Sequence, residues 1–142
     1  MVEPSQVLIT GGRLESLNLI ARMLLSYDAR VIMEDPCYLG AHLAFKAAGA
    51  KIKPCAVDES GLITDRLPDE GVSLVYVTPA HQYPTGVALS AERRQALIGW
   101  AHRNSCMIVE DGYGDEFYDD GAQLQSIAAT APLVRISSIR TC

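Results

Sequence analysis

Lysine is scarce. Only Lys46, Lys51 and Lys53 occur in 142 residues, none in a run with arginines, and the formal net charge is −5. A chain that grips nucleic acid usually shows a basic stripe along one face, so no nucleic-acid role is expected. Long apolar runs are also missing. None approaches the eighteen or so residues that cross a bilayer, and no charged-then-apolar leader opens the chain, so no membrane role is expected. The four cysteines (Cys37, Cys55, Cys106, Cys142) show neither a C-x-x-C pair nor metal-ligand spacing, which leaves no metal candidate. Cys55 and Cys106 fall in apolar, strand-like runs and read as buried free thiols, which fits a reducing, cytoplasmic setting.

What remains is ordinary globular composition, 49% hydrophobic and 20% charged, enough for one domain with its own core. Apolar runs alternate with helical patterns throughout. Val7–Thr10, Val31–Glu34, Ile52–Val57, Ser73–Thr78, Cys106–Glu110 and Leu133–Ser137 read as strands. Leu14, Leu17, Ala21, Leu24 and Leu25 fall at helical spacing. A second helix is expected over Leu39–Ala48, closed by Gly49 as its C′ glycine, and a third runs from a Ser90 cap to about Arg103. Pro54 assigns its strand to a sheet edge, because proline cannot donate to a ladder. Residues 58–71 are polar and too weakly periodic for a helix. This alternation predicts a three-layer, doubly wound, mainly parallel α/β sheet, with its site at the carboxyl ends of the strands.

Four segments lie at those ends. Gly11-Gly12 joins a strand to a helix, where backbone N–H groups and the helix N-terminus suit an anion; two glycines alone fit a tight turn equally well. Glu34 lies about twenty residues further on, where a dinucleotide-binding acid would hold a ribose. The later glycines of that fingerprint are absent, however, so a nucleotide-binding module is the runner-up. Tyr38 can stack on a flat heterocycle or simply pack a helix start. The loop from Thr78 to Gly86 is rigid and polar. Asp111, at the next strand end, can pair with a protonated pyridine nitrogen or can serve as a turn former.

Taken together, Leu8-Ile9-Thr10-Gly11-Gly12, Glu34-Asp35-Pro36-Cys37-Tyr38, His81-Gln82-Tyr83-Pro84-Thr85-Gly86 and Val109-Glu110-Asp111-Gly112-Tyr113 carry a resemblance over nearly all of residues 1–142. The chain resembles the aminotransferase-like domain of MocR-type GntR regulators, and more broadly the large domain of class I/II aminotransferases, the pyridoxal-phosphate (PLP) enzymes of fold type I. The resemblance implies Gly11, Gly12 and Arg13 at the phosphate, Tyr38 against the pyridine ring, Asp111 at its nitrogen and Tyr113 at its phenolic oxygen. It also implies the loop of His81 and Tyr83 at the ring's edge.

Gly11, Arg13 and Leu14 depart from the family's usual phosphate loop. In the family a further strand leads into a segment whose lysine holds PLP as an imine; here Arg140, Thr141 or Cys142 stands at that place, and none offers the amine. The resemblance therefore implies a truncated domain with no catalytic residue of its own, binding PLP noncovalently if at all. The alternatives are the nucleotide module and a non-catalytic oligomerising protein. Because fold-type-I sites form at a dimer interface, a homodimer is expected.

Overall fold

The computed structural model describes residues 3–112, residues 126 and 127, and the backbone of residues 136–139. The elements in chain order are α1 (Arg13–Leu24), β1 (Arg30–Asp35), α2 (Leu39–Ala47), β2 (Lys51–Asp58), β3 (Gly61–Leu62), β4 (Leu74–Val77), α3 (Ala91–Arg103), β5 (Met107–Asp111) and β6 (Ile136–Ile139). They build a six-stranded sheet of order β3-β2-β1-β4-β5-β6, parallel throughout except for the short β2–β3 pairing.

Side-chain alternation along the strands divides the core into two halves. Val31, Met33, Leu74, Tyr76 and Val109 face α1 and α2, packing with Leu17, Ala21, Ala41 and Phe45. Ile32, Val75, Val77 and Ile108 face the other way, against Leu97, Trp100 and Ala101 of α3. Helices thus cover both faces, the three-layer arrangement expected from the sequence.

Local chemistry fixes the helix ends. The Ser90 hydroxyl accepts from the Arg93 N–H at 3.3 Å at the start of α3. At the end of α2, Gly49 takes a φ of +84°, its N–H donates to the Lys46 carbonyl, and Ala50 N–H donates to the Phe45 carbonyl. These are the two bonds of a Schellman motif, and glycine reaches that conformation without a Cβ penalty. Pro54 pairs in register with Met33 of β1, while the opposite edge of β2 meets, among the described residues, only β3, at Val57 and Asp58. The proline thus lies on an edge, as its missing N–H requires.

One expectation is corrected. Val7–Thr10 joins no ladder among the described residues, and Val7, Leu8 and Ile9 are 59%, 74% and 91% exposed. A β-strand requires a neighbour as well as an apolar run, and no described strand lies beside this segment. The polar stretch 58–71 holds β3 and a single 3-10 turn, Thr64–Arg66. Of the expected strand over Leu133–Ser137, residues 133–135 lie outside the described residues, and β6 covers its end.

From β1 the chain crosses through α2 to β2 on one side, then returns to β4 on the other. The strand order therefore reverses between β1 and β4. The crevice beyond the carboxyl ends of those two strands is where open α/β sheets place their ligands.

Candidate functional site

At that reversal lies a buried polar knot centred on Glu34, the fifth residue of β1. Its Oε2 accepts from the Thr78 hydroxyl at 2.7 Å, the Thr78 N–H at 3.2 Å and the Gln82 amide at 3.3 Å. Gln82 is itself buried and joins two loops. Its Nε2 donates to the carbonyls of Pro36 and Tyr83, both at 2.7 Å, while its Oε1 accepts from the Thr85 hydroxyl and N–H. The segment after β1 and the loop after β4 are thereby fastened together, with cis peptides at Asp35-Pro36 and Tyr83-Pro84. Burial pushes the Glu34 carboxyl up to about 7, against the opposing pull of its three hydrogen bonds. With Oε2 committed inside the protein, Glu34 is not presented to a ribose, and the nucleotide reading loses its acid.

The second cluster faces α1. Asp111 closes β5 and is 1% exposed. The Tyr76 hydroxyl, from the neighbouring strand, donates to Asp111 Oδ2 at 2.6 Å, and Arg13 Nε approaches the same oxygen at 3.2 Å. Burial, and then the Asp111 charge, raise the Tyr76 phenol above its ordinary range, so it remains a donor at any physiological pH. Arg13 comes from the first turn of α1. Its guanidinium carbon lies 5.3 Å from the centroid of the Tyr38 ring, a cation–π contact. Tyr38 in turn meets Tyr83 edge-on, with ring centroids 5.8 Å apart. Arg13, Tyr38, Tyr83 and Asp111, drawn from four separate segments, thus form one continuous contact chain.

Gly12 caps α1 with φ +143°, a backbone that side chains rarely adopt, and nothing lies within 4 Å of where a Cβ would stand. Glycine is required there for conformation, and the space beside it is open. The Gly11 N–H donates to the Glu15 carboxylate. His81 is half-buried in the loop after β4. Tyr113 lies outside the described residues. Glu110, the neighbour of Asp111, points to the α3 side and accepts from the Ser126 hydroxyl and the Ile127 N–H.

Sequence reasoning missed Tyr76 and Gln82. For Tyr76 a signal was available, since a tyrosine inside a fully buried run must find a partner for its hydroxyl. The role of Gln82 depends on two loop conformations at once and left no such trace.

The sequence model of the family described as aminotransferase class I and II matches residues 1–138. Among individual relatives, the pyridoxine biosynthesis transcriptional regulator PdxR of Corynebacterium glutamicum is 37% identical over 132 residues, covering 93% of this chain and 29% of the regulator. The probable rhizopine catabolism regulatory protein MocR of Rhizobium meliloti is 34% identical over 114 residues, 80% of this chain and 23% of that protein. Kynurenine aminotransferase of Pyrococcus horikoshii, solved in complex with PMP, superposes with a TM-score of 0.87 at 28% identity, over 93% of this chain and 35% of that one. The chain therefore spans about a third or less of the length of such relatives. With the family pattern running through the described strands and all four motif segments, this chain belongs to the class I and II aminotransferase family, in company with MocR/GntR-type regulators and fold-type-I aminotransferases.

Proposed function

We propose that the carboxyl ends of β1, β4 and β5 form a site for PLP, and that this chain holds the cofactor without a covalent bond. The observation that carries the reading is the buried Asp111 carboxylate at the end of β5, already set against a phenol and a cation, the cation in turn lying over the Tyr38 ring that meets Tyr83. A protonated pyridine nitrogen needs such a partner, and the aromatic pair suits a flat heterocycle.

On this reading Asp111 holds the pyridine nitrogen, Tyr38 lies against the ring and Tyr83 braces Tyr38. Gly11, Gly12 and Arg13 serve the phosphate at the start of α1, and His81 borders the ring's edge. Tyr113 keeps the phenolic-oxygen role that the family pattern gives it. Tyr76 positions Asp111 by donating to the same oxygen that Arg13 approaches. Bound PLP supplies an electron sink for the carbon beside an amino group. The three lysines do not serve the site: Lys46 lies in α2, and Lys51 and Lys53 lie in the first half of β2, away from its carboxyl end. The name of the pyridoxine-biosynthesis regulator and the PMP in the kynurenine aminotransferase support this ligand class.

Titration with PLP, followed by absorbance and by quenching of Trp100, tests the site. Binding should saturate, Asp111→Ala should weaken it about tenfold or more, and Asp69→Ala, at an exposed position, should not. Equal effects of the two variants would remove the pyridine role from Asp111. Borohydride followed by mass spectrometry should give no stoichiometric adduct at any one lysine.

We further propose that the chain pairs with a second copy. The exposed apolar side chains of Leu8, Ile9, Met23, Leu39 and Leu43, on and before the α1–α2 layer, support an apolar contact there.

A further inference from the structure

The Gln82 side chain is buried in the Glu34 knot, and its amide has more acceptors than hydrogens. A primary amide carries two N–H bonds. Three oxygens lie within reach of Nε2: the Pro36 and Tyr83 carbonyls at 2.7 Å each, and Glu34 Oε2 at 3.3 Å. At these distances the two N–H bonds serve the carbonyls, and the carboxyl is the weak third claimant. The Gln82 oxygen is committed to the hydroxyl and N–H of Thr85, so the amide cannot turn over to relieve the shortage. Pro36 lies two residues before Tyr38, and Tyr83 follows Gln82 directly. Gln82 thus holds the backbone on both sides of the edge-on ring pair.

We propose that Gln82 is the positioning residue of the Tyr38–Tyr83 pair and that the charge on Glu34 sets its grip. With Glu34 neutral and its proton on Oε1, Oε2 is an ordinary acceptor and both carbonyls keep their N–H. With Glu34 ionised, Oε2 takes a charge-assisted bond, roughly twice as strong as a neutral one, and draws an N–H to itself. The Pro36 bond is the one that yields. It joins segments 46 residues apart, whereas the Tyr83 carbonyl is next to Gln82 in the chain and the Tyr83 N–H is held by the Thr78 hydroxyl at 3.1 Å. Tyr38 is loosened more than Tyr83. Burial drives the Glu34 carboxyl up to about 7, so both states are populated near neutral pH. Around it stand Asp111 on β5, Tyr76 on β4, Cys37 after β1 and Cys55 on β2, with the exposed Asp35 next on its own strand. Arg94 of α3 reaches the same loop at the Pro79 carbonyl. Burial keeps the phenol and both thiols neutral in that range, while the Asp111 charge adds to the pull for a proton on Glu34. The effect on a ligand rests on the PLP reading above; the clamp on the rings needs no ligand.

The test follows the Tyr38 ring signals by nuclear magnetic resonance in the ligand-free, tyrosine-labelled chain, assigned with Tyr38→Phe, from pH about 5.5 to about 8.5. The wild type should show a shift centred near 7, and Glu34→Gln should hold the low-pH signals throughout. Gln82→Met should lose the shift although Glu34 still ionises. If Gln82→Met fails to fold, Gln82→Asn, whose amide stops short of Pro36, serves the same end. A flat wild-type profile, or a shift that persists without Gln82, would overturn the clamp. Equilibrium dialysis with PLP then reads the consequence for the site. The ratio of the wild-type Kd to that of Glu34→Gln cancels the ligand's own titrations. It should be about one at the acid end and rise on the order of three- to tenfold at the alkaline end. A constant ratio, with PLP bound, would overturn the control by Glu34 and leave the site standing. A Tyr38 shift without PLP binding by any of these proteins would overturn the PLP reading and leave the clamp standing.

Discussion

Replacing Glu34 by glutamine should flatten the pH dependence of stability between about 4.5 and 7. In the folded chain this carboxyl is pushed up to about 7 by burial, whereas its ordinary value is 4.5. Between those limits the folded protein keeps the proton and the unfolded chain releases it. Stability is therefore fully present below about 4.5 and is lost as pH rises through 7. The rise from 4.5 to about 7 corresponds to a loss on the order of 3 kcal/mol across the window. Glutamine is isosteric with the protonated acid, and its carbonyl oxygen can still accept from Thr78. Chemical denaturation at several pH values from about 4 to 8.5, for both proteins, isolates the effect as a difference curve. Glu34→Gln should match the wild type near the acid end and exceed it by up to a few kcal/mol at pH 8. Parallel curves, or a variant less stable at pH 8, would show that the three hydrogen bonds to Oε2 outweigh burial and keep Glu34 ionised.

Tyr76→Phe should cost roughly 1.5–3 kcal/mol in urea unfolding, because the buried Asp111 carboxylate loses a charge-assisted donor without gaining water; a loss under half a kcal/mol would show that the bond contributes little. Gly12→Ala should cost about 1–3 kcal/mol through backbone strain alone, since φ is +143° and the space around a Cβ is empty; an unchanged melting temperature would mean the loop can relax to a more ordinary conformation. Size exclusion with light scattering should give a dimer, with Ile9→Asp or Leu43→Asp shifting it toward monomer, and a monomer at every concentration would remove the proposed pairing.

Much of this fold was legible because its signals are local. Gly49 and Ala50 close a helix through bonds to carbonyls three and five residues back, Ser90 caps α3 through a bond three residues ahead, and Pro54, which lacks an N–H, lies in β2 where the outer edge is unpaired among the described residues. Each of these is decided within one turn of chain. Val7–Thr10 failed for the opposite reason. Its apolar run has strand character, but a strand exists only beside another, and that neighbour is a property of the whole sheet. The site divides in the same way. Asp111 and Tyr38 could be read from their places after strand candidates. Arg13 was assigned to the phosphate, and nothing in its neighbourhood along the chain shows that its side chain turns to a carboxylate on β5.

The period of two along a strand explains why neighbouring carboxylates take such different roles. Glu34 follows the alternation of Ile32 and points to the α3 face, as Glu110 follows Ile108; Asp111 follows Val109 to the α1 face. On the α3 side, Glu34 meets hydroxyl, amide and backbone donors, none of them charged. Such a carboxyl is neutralised most readily by its own proton, and the result is a closed network that holds two loops and asks nothing of a ligand. On the α1 side, Asp111 meets a guanidinium. There the carboxylate is countered by a cation at 3.2 Å instead of by uncharged donors. Arg13, at the first residue of α1, has the helix start beside it. One face of the sheet thus supplies the brace and the other the charged pair, and a single-residue change of register in β5 would send Asp111 to the face of Glu110 and take it from Arg13 while leaving the loops tied.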